Sequence, residues 1–282
     1  MSLTVCLCKT DLDTLVTAVL LFPELPYDIR SVSSRAPEAY LADPSVVCIE
    51  CGGSGRVQEN NFDHHDGCRV LPCAAEQAWD VLGRPQKFAE LVRYTAALDL
   101  GEGSLGAYAA PSLSACVSGM LLSVRAETER FSEGFRIVSA LMRADISPWD
   151  IQALLDMEPR WMQYMEAKEA SRRALLTANV SVLLKEPYVL MTTVTAQPGV
   201  HGLLRSRGAD VALAGNGSRW TISFGLRVPA YYVPQVVNAL IELEEGWGGP
   251  VGGRIIGSPR GVASRLSLED IANVLVRLFS RT

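Results

Sequence analysis

Hydrophobic positions in the first fifty residues fall into short blocks. Leu3 to Leu7 is a brief apolar run and predicts a strand. Leu15, Val16, Ala18 and Val19, on to Phe22, predict a helix capped by Asp13 or Thr14 and stopped by Pro23 and Pro26. Ile29 to Ser33 reads as a second strand, Pro37 to Leu41 as a short helix. Val46 to Ile49 is a compact buried strand, ended by Gly52, Gly53 and Gly55. Strands alternating with helices predict an α/β fold with a parallel sheet covered on both faces.

Helical patterning then dominates. Ala74 to Leu82, Lys87 to Leu98, Leu113 to Met142, and Trp149 to about Leu184 with a break near Pro159, all read as helices. β-branched residues return at Val189 to Thr195. We therefore expect a parallel-sheet domain over 1–185 and a smaller α/β domain over 186–282. In the latter, Asp210 to Ala214, Gly215-Asn216-Gly217 and Trp220 to Phe224 form a hairpin pattern. Val233 to Leu243 is a helix, glycines 246 to 253 a glycine-rich loop, and Ile255-Ile256 a short strand. Ser267 with Asp270 opens a last amphipathic helix through Leu278 in a capping-box arrangement.

Composition narrows the partners. The chain has 282 residues, 26 Lys plus Arg against 31 Asp plus Glu, and a net charge of -5. No global positive field draws in phosphates, so duplex DNA is not an expected partner. The seven cysteines lack the spacing of a secreted framework, which predicts a reducing, cytoplasmic setting. No apolar run is long enough to span a membrane, and no basic, apolar lead-in precedes Cys6. A homodimer is compatible with the sequence.

Candidate chemistry gathers where the first-domain strands end. Asp11 and Asp13 follow strand one, Glu50 ends the Val46 to Ile49 strand, Asp63-His64-His65-Asp66 follows Asn60 to Phe62, and Asp99 follows a helix. Ligands of open α/β sheets gather beyond the carboxyl ends of strands. Carboxylates with an imidazole suit Mn²⁺ or Mg²⁺, and two such ions about 3.5–4 Å apart can hold a phosphoryl group and a water. Simpler roles remain open: Asp11 and Asp13 as helix caps, Glu50 and Asp99 as ordinary element ends, the histidines as a surface pair. Gly52-Gly53-Ser54-Gly55-Arg56 could cradle a phosphate but lacks the lysine and hydroxyl of a P-loop. Cys48 and Cys51, flanking the histidines with Cys68 and Cys73, argue poorly for zinc, because three residues along a strand reverse the facing. His201 reads as a loop histidine without chemistry. Arg254, Arg260 and Arg265 could meet phosphate or form a solvated rim.

Asp63-His64-His65 resembles the signature of the DHH phosphoesterase superfamily, and Asp11-Leu12-Asp13 its first motif. Trp247-Gly248-Gly249 with Gly257-Ser258-Pro259-Arg260 resembles the glycine-rich segment of the associated DHHA1-type domain, and Trp220 to Arg227 the strand before it. The order of motifs spans nearly the whole chain and is closest to exopolyphosphatase-related members. The resemblance implies Mn²⁺ ligation by Asp11, Asp13, His64 and Asp99, with Glu50 in the place of a bridging aspartate. It makes Asp63 a nearby support and His65 a phosphate contact. It gives substrate binding to Gly248, Gly249, Arg254, Arg260 and Arg265.

Three positions depart from the pattern. Lys9 stands where the first motif carries a histidine, Glu50 where the family has aspartate, and Pro250 where a histidine follows the glycines. A charged ammonium cannot ligate a metal and occupies the space of a cation. One tightly held Mn²⁺ or Mg²⁺ is therefore expected rather than two. The sequence predicts metal-dependent hydrolysis of a phosphoester or phosphoanhydride in a small phosphorylated molecule or short oligonucleotide. The alternative is a degenerate member that binds such a ligand without turnover.

Overall fold

A computed structural model describes residues 4–22, 24–26, 28–33, 35–65, 71–99, 111–195, 197, 199–248, 254–259 and 262–280. The chain divides into two compact units, Met1–Glu169 and Ala170–Thr282.

The first unit contains a four-stranded, all-parallel sheet in the order β2-β1-β3-β4, built from β1 (Thr4–Leu7), β2 (Asp28–Ser31), β3 (Val46–Ile49) and β4 (Asn61–Phe62). Alternation assigns its two faces. Val5, Leu7, Val47 and Ile49 enter the main core. Cys6, Val46 and Cys48 enter a smaller apolar cluster with Ala36 on the other face. Burial on both faces is what a parallel sheet requires, and it explains the short, wholly apolar β3. Helix α1 (Leu12–Leu21) lies in the core and packs against α3 (Ala74–Val81), α4 (Ala89–Asp99) and α6 (Glu127–Arg143). A short helix, α2 (Glu38–Leu41), precedes β3.

The long helix expected over 113–142 is interrupted. It consists of α5 (Leu113–Ser123) and α6, separated at Val124, whose backbone is extended. Arg130 stabilises the break by donating to Val124 O at 2.7 Å and Leu121 O at 3.1 Å, carbonyls that α5 leaves unpaired. The unit closes with α7 (Gln152–Met157) and the start of α8 (Met162–Leu176).

The division between units falls within α8 rather than near residue 185. Residues 181–184 are not helical. They form β5 (Ser181–Leu184), antiparallel to β6 (Leu190–Val194). The second sheet runs β5-β6-β7-β8-β9, with β7 (Val211–Gly215) parallel to β6 and the other neighbours antiparallel. Strands β7 and β8 (Trp220–Phe224) form the expected hairpin, in which Asn216 Oδ1 accepts the backbone N–H groups of Ser218 and Arg219 and Gly217 takes φ +90°. Helix α9 (Val200–Ser206) carries His201, which is therefore helical and not in a loop. Helix α10 (Tyr232–Ile241), β9 (Ile255–Gly257) and α11 (Leu268–Phe279) complete the unit, α11 with the predicted Ser267–Asp270 capping box. Among the described residues, no helix is long and apolar enough to cross a membrane.

Candidate metal centre

Because β1, β3 and β4 are parallel, their carboxyl ends point the same way, and the residues that follow them meet. Asp11 Oδ1 caps α1 through Thr14 N at 3.0 Å, so the capping residue is Asp11 and not Asp13 or Thr14. Asp13, in the first turn of α1, is turned inward. Its two oxygens each accept a backbone N–H from the first turn of α3, Ala74 and Ala75, both at 2.8 Å. Glu50 follows β3 in a left-handed conformation, φ +56°, which sends its side chain into the buried interior. Asp63, His64 and His65 follow β4, and Asp99 ends α4.

These groups form one connected cluster. His64 Nδ1 lies 3.1 Å from Asp99 Oδ2. Ligand atoms of Asp13, His64 and Asp99 all lie within 4.8 Å of one another, as do those of Glu50, His64 and His65. Lys9 Nζ sits 2.7 Å from Asp11 Oδ2 and 3.6 Å from Glu50 Oε2. Asp63 is fully engaged: Oδ2 accepts from Gly53 N at 2.6 Å, while Oδ1 accepts from His65 N at 2.8 Å and lies 2.9 Å from His65 Nδ1. Asp63 therefore positions His65 and the loop at Gly53. Glu127, which the sequence reading passed over, holds the first motif from α6 by accepting from Thr10 N at 2.6 Å. Only long-range packing reveals that role.

Burial dominates the electrostatics. It drives the Glu50 carboxyl up to about 9, with the charges of Asp13, Asp11 and Asp63 adding and Lys9 opposing. Burial pushes Asp13 up to about 7 against its bonds to Ala75 and Ala74, with Asp11 and Asp99 reinforcing the rise. Burial also raises Asp99 and lowers His64, which Asp99 partly offsets. Burial opposes the Lys9 charge as well, yet Asp11 and Glu50 outweigh it and hold the ammonium above its ordinary range. His65 is raised by its hydrogen bond to Asp63.

The donor set fits a divalent cation. Both Glu50 oxygens, His64 Nδ1 and Asp99 Oδ2 are buried and make no hydrogen bond among the described residues. Buried polar atoms need a partner, and crowded carboxylates need positive charge. Lys9 supplies one such charge at Asp11 and Glu50. Asp13, His64 and Asp99 are the set that could hold an ion, a mixed oxygen and imidazole site suited to Mn²⁺ or Mg²⁺.

The second unit treats its arginines unequally. Arg254 Nη1 is committed to Gly225 O at 2.6 Å and Val228 O at 2.8 Å. Arg265 is well exposed, with Nε 3.8 Å from Glu244 Oε1. Gly248 bridges to Gly257, donating N–H to its carbonyl at 3.1 Å. Gly249, Pro250 and Arg260 lie outside the described residues. The buried Glu244, not singled out from sequence, ties the segment together: it accepts from Trp247 Nε1 at 2.8 Å, Ser264 Oγ at 2.6 Å and Arg265 N at 2.6 Å.

Two solved structures share this architecture. The pGpG-specific phosphodiesterase PggH from Vibrio cholerae aligns over 99% of this chain and 98% of its own, at 14% identity and a TM-score of 0.58. RecJ from Thermus thermophilus, in complex with Mg²⁺, aligns over 99% of this chain and 50% of its own, at 14% identity and a TM-score of 0.50. The chain thus spans half the length of that RecJ. No family model and no curated protein matches the sequence. The shared fold is the one that the DHH-type motifs imply.

Proposed function

We propose that this chain is a metal-dependent phosphodiesterase acting on a short linear dinucleotide or a similarly small phosphorylated molecule. The observation that carries the reading is the pair His64 Nδ1 and Asp99 Oδ2, buried 3.1 Å apart without hydrogen-bond geometry and within reach of Asp13. A divalent ion held there supplies Lewis acidity toward a phosphoryl oxygen. The substrate class follows the pGpG-specific phosphodiesterase with which the chain shares its fold over nearly full length.

The protein's own groups have separable roles. Asp13 is locked by the N-terminus of α3, so its carboxylate stays aimed at His64 and Asp99. Asp63 keeps His65 Nδ1 engaged and the ring protonated to higher pH, which leaves Nε2–H to donate to a phosphate oxygen. Lys9 neutralises Asp11 and Glu50 in place of a second ion. In the second unit, exposed Arg265 binds phosphate together with Arg260, while the Gly248 backbone and Arg254 Nη1 are committed to backbone partners of their own and shape the segment.

The experiment is a phosphodiesterase and phosphatase panel with Mn²⁺ or Mg²⁺ that includes pGpG, short oligonucleotides and polyphosphate, with His64→Ala as the inactive control. Release of GMP from pGpG, dependent on metal and on His64, supports the reading. Tight pGpG binding without turnover would instead establish the ligand-binding alternative.

A further inference from the structure

Cys6 in β1, Cys48 in β3 and Cys51 just beyond it place their sulfurs within 4.8 Å of one another. All three residues are almost wholly buried, at 0%, 1% and 2% exposure. Cys6 and Cys48 are directly paired across the parallel strands, on the face opposite the main core. Strict alternation would turn Cys51 away from Cys48. The left-handed turn at Glu50 cancels that expectation and folds Cys51 back over Cys6, with Sγ 3.3 Å from Cys6 O and 3.8 Å from Cys6 Sγ.

We propose that Cys6, Cys48 and Cys51 form a three-thiolate site for Zn²⁺, separate from the oxygen and imidazole centre. The Cys6–Cys51 sulfur separation is that of a coordination shell: with Zn–S bonds of about 2.3 Å at a tetrahedral angle, neighbouring sulfurs stand about 3.8 Å apart. The chemistry is selective, because a shell of sulfur takes a soft or borderline ion, while Mn²⁺ and Mg²⁺ go to the carboxylates. Cys8, just beyond β1, packs against the same cluster. A lone buried cysteine acts as a small apolar side chain. Three from two paired strands, brought together by a left-handed non-glycine residue, form a ligand set. An ion here would fasten the end of β1 to the Glu50 turn, the two segments that carry Lys9 and Glu50.

The test titrates the full-length, phosphine-reduced chain with Cd²⁺ as a spectroscopic substitute for Zn²⁺. One equivalent is expected to raise the ultraviolet cadmium–thiolate charge-transfer band, prior loading with Zn²⁺ to shift the titration to higher Cd²⁺ as the softer ion displaces it, and His64→Ala to retain the band. Cys48→Ala, with its fold checked by circular dichroism, is expected to weaken Cd²⁺ binding at least about tenfold. Alkylation of the unmodified protein, mapped by peptide mass spectrometry, needs no variant: Zn²⁺ should slow labelling of Cys6, Cys48 and Cys51 at least about tenfold. Absence of the band, its loss in His64→Ala, or unchanged labelling of these three cysteines would overturn the proposal.

Discussion

Lys9 Nζ sits 2.7 Å from Asp11 Oδ2 and reaches on to buried Glu50, at 3.6 Å. An ammonium here does electrostatically what a metal ion would do, without accepting a ligand or activating water. Calorimetric titration of the unmodified protein should give one tight Mn²⁺ per chain. Lys9→His should bind two and raise metal-dependent phosphodiester turnover at least about tenfold. Two tight sites in the unmodified chain, unchanged in the variant, would contradict the role given to Lys9.

Asp63 touches His65 and Gly53 rather than the set that could hold the ion, so it acts through His65. Asp63→Asn should lower kcat about 10–100-fold, the usual cost of losing an orienting partner. The variant should also shift the His65 titration to lower pH, read by histidine NMR. Asp99→Asn should instead weaken Mn²⁺ binding itself. A merely structural Asp63 would leave the His65 titration where it was.

Glu50 and Asp13 are both held above their ordinary values by burial, to about 9 and about 7. The folded state therefore keeps protons that the unfolded state has released, from roughly pH 4 upward. Stability from these groups is greatest at acid pH and falls as pH rises toward about 9. His65, also raised, adds to the fall, and His64, lowered, opposes it near roughly pH 6. The urea midpoint of the metal-free protein should decline across this range. Saturating Mn²⁺ or Glu50→Gln should flatten the decline. A midpoint that climbs with pH would refute the assignment.

Gly119 in α5 lies where any Cβ would meet Tyr164 O at 1.8 Å, and a backbone oxygen cannot rotate aside. Gly119→Ala should cost about 1–3 kcal/mol by overpacking. Urea unfolding checks this, and an unchanged midpoint would contradict the close approach of Gly119 to the Tyr164 backbone.

Glu244 is buried and accepts three hydrogen bonds, which outweigh burial and hold its carboxyl below the ordinary range. Its stabilisation is present above the unfolded value and lost as pH falls through the folded one. Glu244→Gln should destabilise the second unit by about 1–3 kcal/mol at neutral pH. The difference from the unmodified protein should shrink on acidification, measured by urea unfolding of the pair from pH 7 to 4.

Much of this was legible because it is local. The extents of β1 and β3, the Asn216-Gly217 hairpin and the Ser267–Asp270 cap follow from neighbours in sequence, where periodicity and turn chemistry act. The acidic and histidine residues were legible as a group for one topological reason: parallel strands deliver their following residues to the same edge.

Other features depended on partners distant in the chain. Helicity was expected up to residue 184, but the second sheet claims 181–184 by pairing them with β6, because ladder bonds and packing override local propensity. Asp13 reads in sequence as a capping carboxylate of its own helix. In the fold it is gripped by α3, about sixty residues on, because a buried carboxylate must find donors wherever packing supplies them. The cysteine cluster was hidden by the alternation rule itself, which holds only for extended backbone. Glu50 leaves that region, and the tertiary structure alone makes it do so, since its carboxyl is drawn toward Lys9 and the histidines while Cys51 is turned onto Cys6.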